Sequence, residues 1–224
     1  MRDAGSLASP ATDPGLGVDL PSVLAADVPQ VGGWLEPNGP ADGYDELLDA
    51  LRGLLDTVAA ARLDDAETAR TTRDLVALRD RLAPHAVAEA DQAFGRRPDL
   101  PGKGQSLVPL WVVQRADADN VWATLTVGRY HLGSNGAVHG GSIALLFENV
   151  LGLLAISGGR TFARAAYTHV DFRSVTPVGR ELDLHAWFVS EVGRKRVLRA
   201  TLHDGDVLCA EAEGLCIELR PDQP

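Results

Sequence analysis

Asn135-Gly136-Ala137-Val138-His139-Gly140-Gly141, running on into Ser142-Ile143-Ala144-Leu145-Leu146-Phe147-Glu148-Asn149, sets a His-Gly-Gly turn at the mouth of an almost wholly apolar helix. A helix that is apolar on every side is normally buried. The run from about Gly140 to Ile156, closed by Gly158-Gly159, therefore predicts a central helix on which the rest of the fold is laid. One carboxylate, Glu148, falls two turns inside it. A buried carboxylate is costly unless it has a partner or a chemical role. Such breaks in local consistency mark places where chemistry happens.

On either side of this helix the pattern is that of strands. Ser106–Gln114 and Asn120–Val127 precede it, with Ala116-Asp117-Ala118-Asp119 as their turn. Ala165–Phe172, Glu181–Val189, Arg196–His203 and Val207–Glu218 follow it, separated by Pro177-Val178-Gly179, Glu191-Val192-Gly193 and Asp204-Gly205. Strands joined by tight glycine turns pair antiparallel. One buried helix against five or six strands is an α+β layer, with the sheet wrapped around the helix.

The first hundred residues read differently. Residues 1–42 carry Pro10, Pro14, Pro21, Pro29, Pro37 and Pro40 among Gly, Ala and Asp, the composition of a draped or flexible segment. From Tyr44 a helical stripe begins: Leu47, Leu48, Leu51, Leu54, Leu55 and Val58 recur at three- and four-residue spacing. Asp64-Asp65 caps a second helix bearing Leu75, Leu78 and Leu82, Pro84 ends or kinks it, and Ala86–Ala93 resumes it. Residues 43–98 thus form a helical extension to a unit at 104–219. Its two amphipathic helices need a surface to cover, on the core or on a partner subunit.

Composition narrows the function classes. The net charge of −10 lies mostly in residues 1–98, with 17 acidic and 9 basic side chains, against 14 and 12 in residues 99–224. An acidic chain is a poor binder of a phosphate backbone, so no nucleic-acid partner is expected. Cys209 and Cys216 are the only cysteines, too few for a disulfide framework or a thiolate zinc site. His131, His169, His185 and His203 lack metal-ligand spacing, and neither a metal nor a cofactor is expected. The apolar run Ile143–Ile156 is too short for a membrane span and is interrupted by Glu148-Asn149. Met1-Arg2-Asp3-Ala4-Gly5 does not open a signal peptide, and a cytoplasmic location is expected.

Gly-Ala-Val-His139-Gly140-Gly141, with an acid nine positions after the histidine, resembles the hotdog-fold acyl-CoA thioesterases of the phenylacetate-pathway type. Val170-Asp171-Phe172-Arg173-Ser174-Val175-Thr176-Pro177-Val178-Gly179 is similar to the strand and turn that follow the helix in that family. Gly193-Arg194-Lys195-Arg196 and Ala210-Glu211-Ala212-Glu213-Gly214 are similar to its later turn and last strand. The resemblance covers roughly residues 104–219. It implies hydrolysis of an acyl-CoA to a carboxylate and coenzyme A.

The resemblance also implies roles. The N–H of Gly140, at a helix N-terminus where donors and dipole converge, would polarise the thioester carbonyl. Glu148, about 10 Å further along by helical rise, would act from a second subunit as base or nucleophile. The site would then lie between the subunits of a homodimer or homotetramer. His139 shapes the turn, Gly141 permits close approach of substrate, and Asn135 or Asn149 would stand in for an amide that relatives carry six positions before the histidine, where this chain has Gly133. Arg194, Lys195 and Arg196 would meet the phosphates of coenzyme A.

Plainer readings stand beside these. Glu148 could pair with Arg164 or Arg173, the glycine pair could serve helix–sheet packing, and the basic turn could be solvated. Trp111, Trp122, Tyr167 and Trp187 could line an acyl pocket or fill the core. Loss of hydrolysis would leave an acyl-CoA-binding or regulatory protein, which Gly133 favours. A hydratase of the same fold wants another spacing of histidine and acid.

Overall fold

The computed structural model describes residues 43–97 and 99–220. The reading of residues 1–42 falls outside them. Among the described residues six strands form one antiparallel sheet, ordered β1-β2-β4-β5-β6-β3. The strands are β1 (Trp111–Ala116), β2 (Asn120–Thr126), β3 (Ala163–Phe172), β4 (Glu181–Val192), β5 (Lys195–Asp204) and β6 (Val207–Glu218). The two edges are β1 and β3.

Period-two alternation builds the core. Val121, Ala123 and Leu125 of β2, Leu182, Leu184 and Ala186 of β4, and Leu198, Ala200 and Leu202 of β5 all turn inward. They meet Ile143, Leu146, Phe147, Val150, Leu151 and Leu154 of the central helix α3 (Gly140–Ala155), which lies across this one face of the sheet. Gly214 is what lets the helix sink onto β6: a Cβ there would come within 2.9 Å of Leu151 Cδ1. Close helix–sheet packing therefore depends on Gly214. The pair Gly140-Gly141 has a different surrounding.

The order of elements follows the sequence expectation, with two differences. Residues 106–110 are not strand, because Gln105 Oε1 accepts from the backbone of Leu107 and Val108 and turns the chain before β1 begins. Ala86–Ala93 does not resume a helix. After α2 (Asp65–Leu82) come two single 3-10 turns, Ala83–His85 with Pro84 in it, and Glu89–Asp91.

The expected helical hairpin also divides in two. In α1 (Tyr44–Ala60), Leu48 is buried and Asp56 accepts the N–H of Tyr130 at 2.8 Å, fixing the helix to the turn Arg129–His131. Gly128 makes room for this contact, since a Cβ there would overlap the Asp56 carboxylate. Asp64 caps α2 through the N–H of Glu67. Yet α2 buries no residue within the protomer, and Leu75, Val76, Leu78 and Leu82 stay exposed. Among the described residues no helix is long and apolar enough to cross a membrane.

Candidate active site

The helix mouth is assembled by backbone pairing around His139. Gly133 N–H donates to Ala137 O at 2.9 Å, closing a turn whose tip, Asn135, takes a left-handed φ of 51° beside Gly136 at 76°. Val138 N–H reaches Thr176 O, Val178 N–H reaches Gly136 O, and Ala137 bridges Pro177. The loop after β3 is therefore stitched to the loop before α3. That is the physical reason the two motifs occur together in one chain.

His139 caps the helix. Its Nδ1 accepts from Gly141 N–H at 3.0 Å, which places the neutral ring's proton on Nε2. Its carbonyl accepts from Ser142 at 2.9 Å and Ile143 at 3.3 Å. Of the first-turn donors only the N–H of Gly140 makes no hydrogen bond among the described residues. A helix N-terminus leaves such orphans, and the dipole makes them attractive to developing negative charge. The Phe172 ring stands over Gly140, where a Cβ would meet its Cζ at 3.2 Å; the ring is 57% exposed and walls the mouth on one side. His131 Nδ1 and Ser142 Oγ lie 3.1 Å apart beside it, and burial pushes the His131 imidazolium towards its neutral form.

Glu148 differs from expectation. It is exposed, not buried, because the sheet covers only one face of α3. The opposite face, carrying Gly141, Ala144, Leu145, Glu148, Asn149 and Gly152, is left open or half-open by this chain, and a Cβ on Gly152 would touch nothing. Among the described residues Glu148 makes no hydrogen bond or ion pair. Arg173, a candidate partner for it, instead donates to Glu211 at 2.7 Å and to Asp171 at 3.2 Å. Asn149 is held by Trp111, whose Nε1 donates to its Oδ1 at 3.2 Å. Two charged or polarisable groups sense Glu148. The half-buried Lys103 has its ammonium disfavoured by burial and favoured by that carboxylate. The buried Cys216 thiol is pushed up to about 11, by burial first and Glu148 second.

The basic turn lies elsewhere. Arg196 donates to Ala155 O at the C-terminus of α3, so the turn between β4 and β5 sits at the end opposite Gly140. Arg196 was expected beside Arg194 and Lys195 as a phosphate contact, but it is 2% exposed and fully engaged. Its other bonds run to Thr161 O, Thr161 Oγ1 and Glu191. Parity is the reason: residue 196 shares the inward side of β5 with 198, 200 and 202. Arg194 and Lys195 remain exposed at the turn.

The tryptophans separate too. Trp122, His185 and Trp187 stack on the sheet face away from α3, with ring centroids 4.8 and 4.9 Å apart and the Arg115 guanidinium over Trp122. They do not meet the helix mouth. Sequence reasoning did not single out Lys103, named His131 only to set metal binding aside, and used Ser142 and Phe172 only as parts of motifs. Only Phe172 carried a readable signal, its place two residues after Val170 in that motif.

Comparison with known proteins bears on this geometry. The sequence profile of the thioesterase superfamily matches residues 135–211, which hold the helix mouth, Glu148, β3, β4, β5 and the start of β6. A crystal structure of a thioesterase superfamily protein shares 27% identity, covering 82% of this chain and 95% of that one, with a TM-score of 0.69. That share exceeds what residues 104–219 supply, so the likeness extends into the N-terminal helical region. A Streptococcus mutans UA159 protein bound to acetyl CoA is 21% identical over 48% of this chain and 86% of its own, with a TM-score of 0.45. A hypothetical thioesterase with coenzyme A from Streptococcus pneumoniae TIGR4 is 17% identical over 48% and 86%, also at 0.45. No curated protein sequence matches the chain.

Proposed function

We propose that the chain is a hotdog-fold thioesterase, a reading supported by the profile match over residues 135–211 and by the structural likeness, and that it hydrolyses an acyl-CoA thioester to the free carboxylic acid and coenzyme A. The observation that carries this reading is the pairing on one helix of a donor, Gly140 N–H, and an acid side chain, Glu148, neither of which has a hydrogen-bond partner among the described residues. The donor suits a carbonyl oxygen that gains negative charge. The acid suits activation of water, taking its proton as the hydroxyl adds to the carbonyl carbon, or direct attack on that carbon. Collapse of the adduct expels the thiolate, which leaves as coenzyme A once protonated.

Glu148 lies eight positions after Gly140, more than two helical turns, so one protomer does not bring them to the same carbonyl. A second copy resolves this. The bare face of α3 and the edge strand β3, which among the described residues pairs with β6 alone and exposes Tyr167 and Phe172, are the surfaces a two-fold partner would cover. His139 holds the mouth, Gly141 and Asn149 flank the substrate, and Asn135 anchors the turn. Exposed Arg194 and Lys195 meet the nucleotide phosphates.

The test is thiol release from a panel of acyl-CoAs by the wild type and by Glu148→Gln. Turnover that falls at least about 100-fold in the variant supports the reading. Wild type that binds acyl-CoA and releases no thiol from any of them overturns it and favours the second reading, an acyl-CoA-binding protein. Gly133 is the observation behind that alternative. A Cβ there would lie 3.1 Å from His139 Cα, so the backbone leaves little room for the amide side chain that the family resemblance implies at this point.

A further inference from the structure

The helix α2 carries an apolar stripe that, among the described residues, nothing in its own protomer covers. Thr71, Leu75, Leu78 and Leu82 recur at spacings of four, three and four, which sets them on one face. The leucines are 41%, 38% and 49% exposed, and no residue of the helix is buried. The element it chiefly meets is the 3-10 turn Ala83–His85 that follows it in the chain. In proteins most helical stability comes from packing an amphipathic face, so an 18-residue helix of mixed composition calls for a neighbour.

The charges around the stripe point to the neighbour. Asp65 and Glu67 stand in the first turn of α2, Arg79 and Arg81 in the last. A second α2 laid parallel would set acid against acid and base against base. Laid antiparallel, it sets each acidic end against a basic one and opposes the two helix dipoles. Pairing about a two-fold axis with Leu75 opposite Leu78 of the second copy also puts Thr71 opposite Leu82. In that register Asp74, which flanks the stripe, comes beside Arg81 of the second copy, and the symmetry repeats the pair. Within one helix Asp74 and Arg81 are seven positions apart, about 10 Å by helical rise, too far to meet. Neither makes a hydrogen bond or ion pair among the described residues. Glu67 and Arg79, by contrast, are held within the helix by Arg70 at 3.3 Å and Asp80 at 2.7 Å. The charges left over beside the stripe match their own two-fold image.

We propose that α2 is a self-association surface, on which two copies of this chain pair antiparallel through Leu75, Leu78 and Leu82, with Asp74 and Arg81 crossing between them. This surface is distinct from the β3 edge. The extension is fixed by α1 to the turn after β2, near the β1 end of the strand order, and β3 is the other end. A chain that pairs through β3 and again through α2 assembles beyond a dimer, to a closed tetramer where the two axes cross at right angles. The α2 contact does not depend on the hydrolytic reading of Glu148.

The test is sedimentation equilibrium of the full chain at low salt, where ion pairs are least screened. Leu75→Asp with Leu78→Asp halves the assembled mass of the wild type; α2 buries nothing whose loss would unfold the protomer. Asp74→Arg alone and Arg81→Asp alone each set two like-charged pairs across the contact and weaken association roughly tenfold. Mixing these two variant proteins restores association, because each then meets the opposite charge on the other. A helix damaged by either substitution would not be repaired by mixing. Equal masses for the wild type and the leucine variant overturn the proposal and give the stripe to another cover, residues 1–42 of the same chain or a different protein. A wild type that sediments as a single protomer overturns it too, as does a mixture no better associated than its components.

Discussion

Replacing Arg196 by Met separates a structural cation from a ligand contact in a way the neighbouring basic residues cannot imitate. Methionine keeps the length of the stem and removes the guanidinium. Four bonds go with it: to Ala155 O at 2.8 Å, Thr161 O at 2.7 Å, Thr161 Oγ1 at 3.0 Å and Glu191 Oε1 at 2.8 Å. Breaking a buried ion pair by deleting one partner costs about 3–5 kcal/mol. Here Glu191 reaches the surface and keeps Arg160, whose Nε lies 2.9 Å away, so the stranded-charge part is small. The carbonyl of buried Ala155 loses its side-chain donor, at about 1–3 kcal/mol for such a group. The lower end of the range, about 3 kcal/mol, is therefore expected. For a chain of this size that lowers Tm by roughly 6–12 °C. Thermal unfolding at fixed protein concentration reads it, alongside KM for an acyl-CoA. Arg194→Ala with Lys195→Ala should shift stability by less than about 1 kcal/mol in total while raising KM. If Arg196→Met melts with the wild type and raises KM as its neighbours do, the burial argument is wrong.

The same ion-pair cluster carries a pH dependence. Glu191 is held below its ordinary value of 4.5, chiefly by hydrogen bonding to Arg160 and further by Arg196. A depressed carboxyl stabilises the fold above its unfolded-state value and ceases to do so as pH falls through the folded one. Stability should therefore drop below about pH 4.5, and Glu191→Gln should flatten that part of a Tm-against-pH curve. Gly133→Asn, which introduces the amide that the family resemblance implies at this position, should lower kcat/KM, because its Cβ presses on the His139 backbone; a rise in activity would show that the loop yields. Cys216, with its thiol pushed up to about 11 and buried, should resist iodoacetamide at pH 7.5 in native protein and react after denaturation, as read by mass spectrometry. Single turnover in 18O-water tests direct attack by Glu148: label in a Glu148-bearing peptide together with an unlabelled product acid means that the carboxylate attacked and that water opened the mixed anhydride at the glutamyl carbonyl.

Much of the fold was readable because its signals are local. Alternation along Val121–Leu125, Leu182–Ala186 and Leu198–Leu202 states which side of each strand faces the helix, and glycine turns state where strands end. The failures have physical causes. Ala86–Ala93 looks helical by residue type, but alanine propensity without a packed face does not nucleate a helix. The exposure of Glu148 was hidden because an apolar helix reads as buried on all sides whether its second face meets its own sheet or another molecule. The inward turn of Arg196 was available from parity with Leu198, and the basic run around it drew attention to charge instead. Lys103 was not legible: nothing in Gly-Lys-Gly tells that Tyr44 and Arg52, some fifty or sixty residues earlier, press that turn into place.

The His139 ring spends Gly141's N–H on the helix cap, so the mouth of α3 offers its visitor one donor and not two. A carbonyl gripped at a single point is on a pivot. The bond fixes where the oxygen sits and leaves the rest of the molecule free to swing about it. At the acyl end, what limits the swing is shape: the Phe172 ring on one side, and on the other whatever surface closes over the uncovered flank of the helix. On the proposed hydrolytic reading, preference among acyl groups is then a question of steering walls, and residues far from the pivot in sequence reset it without touching the donor or the acid.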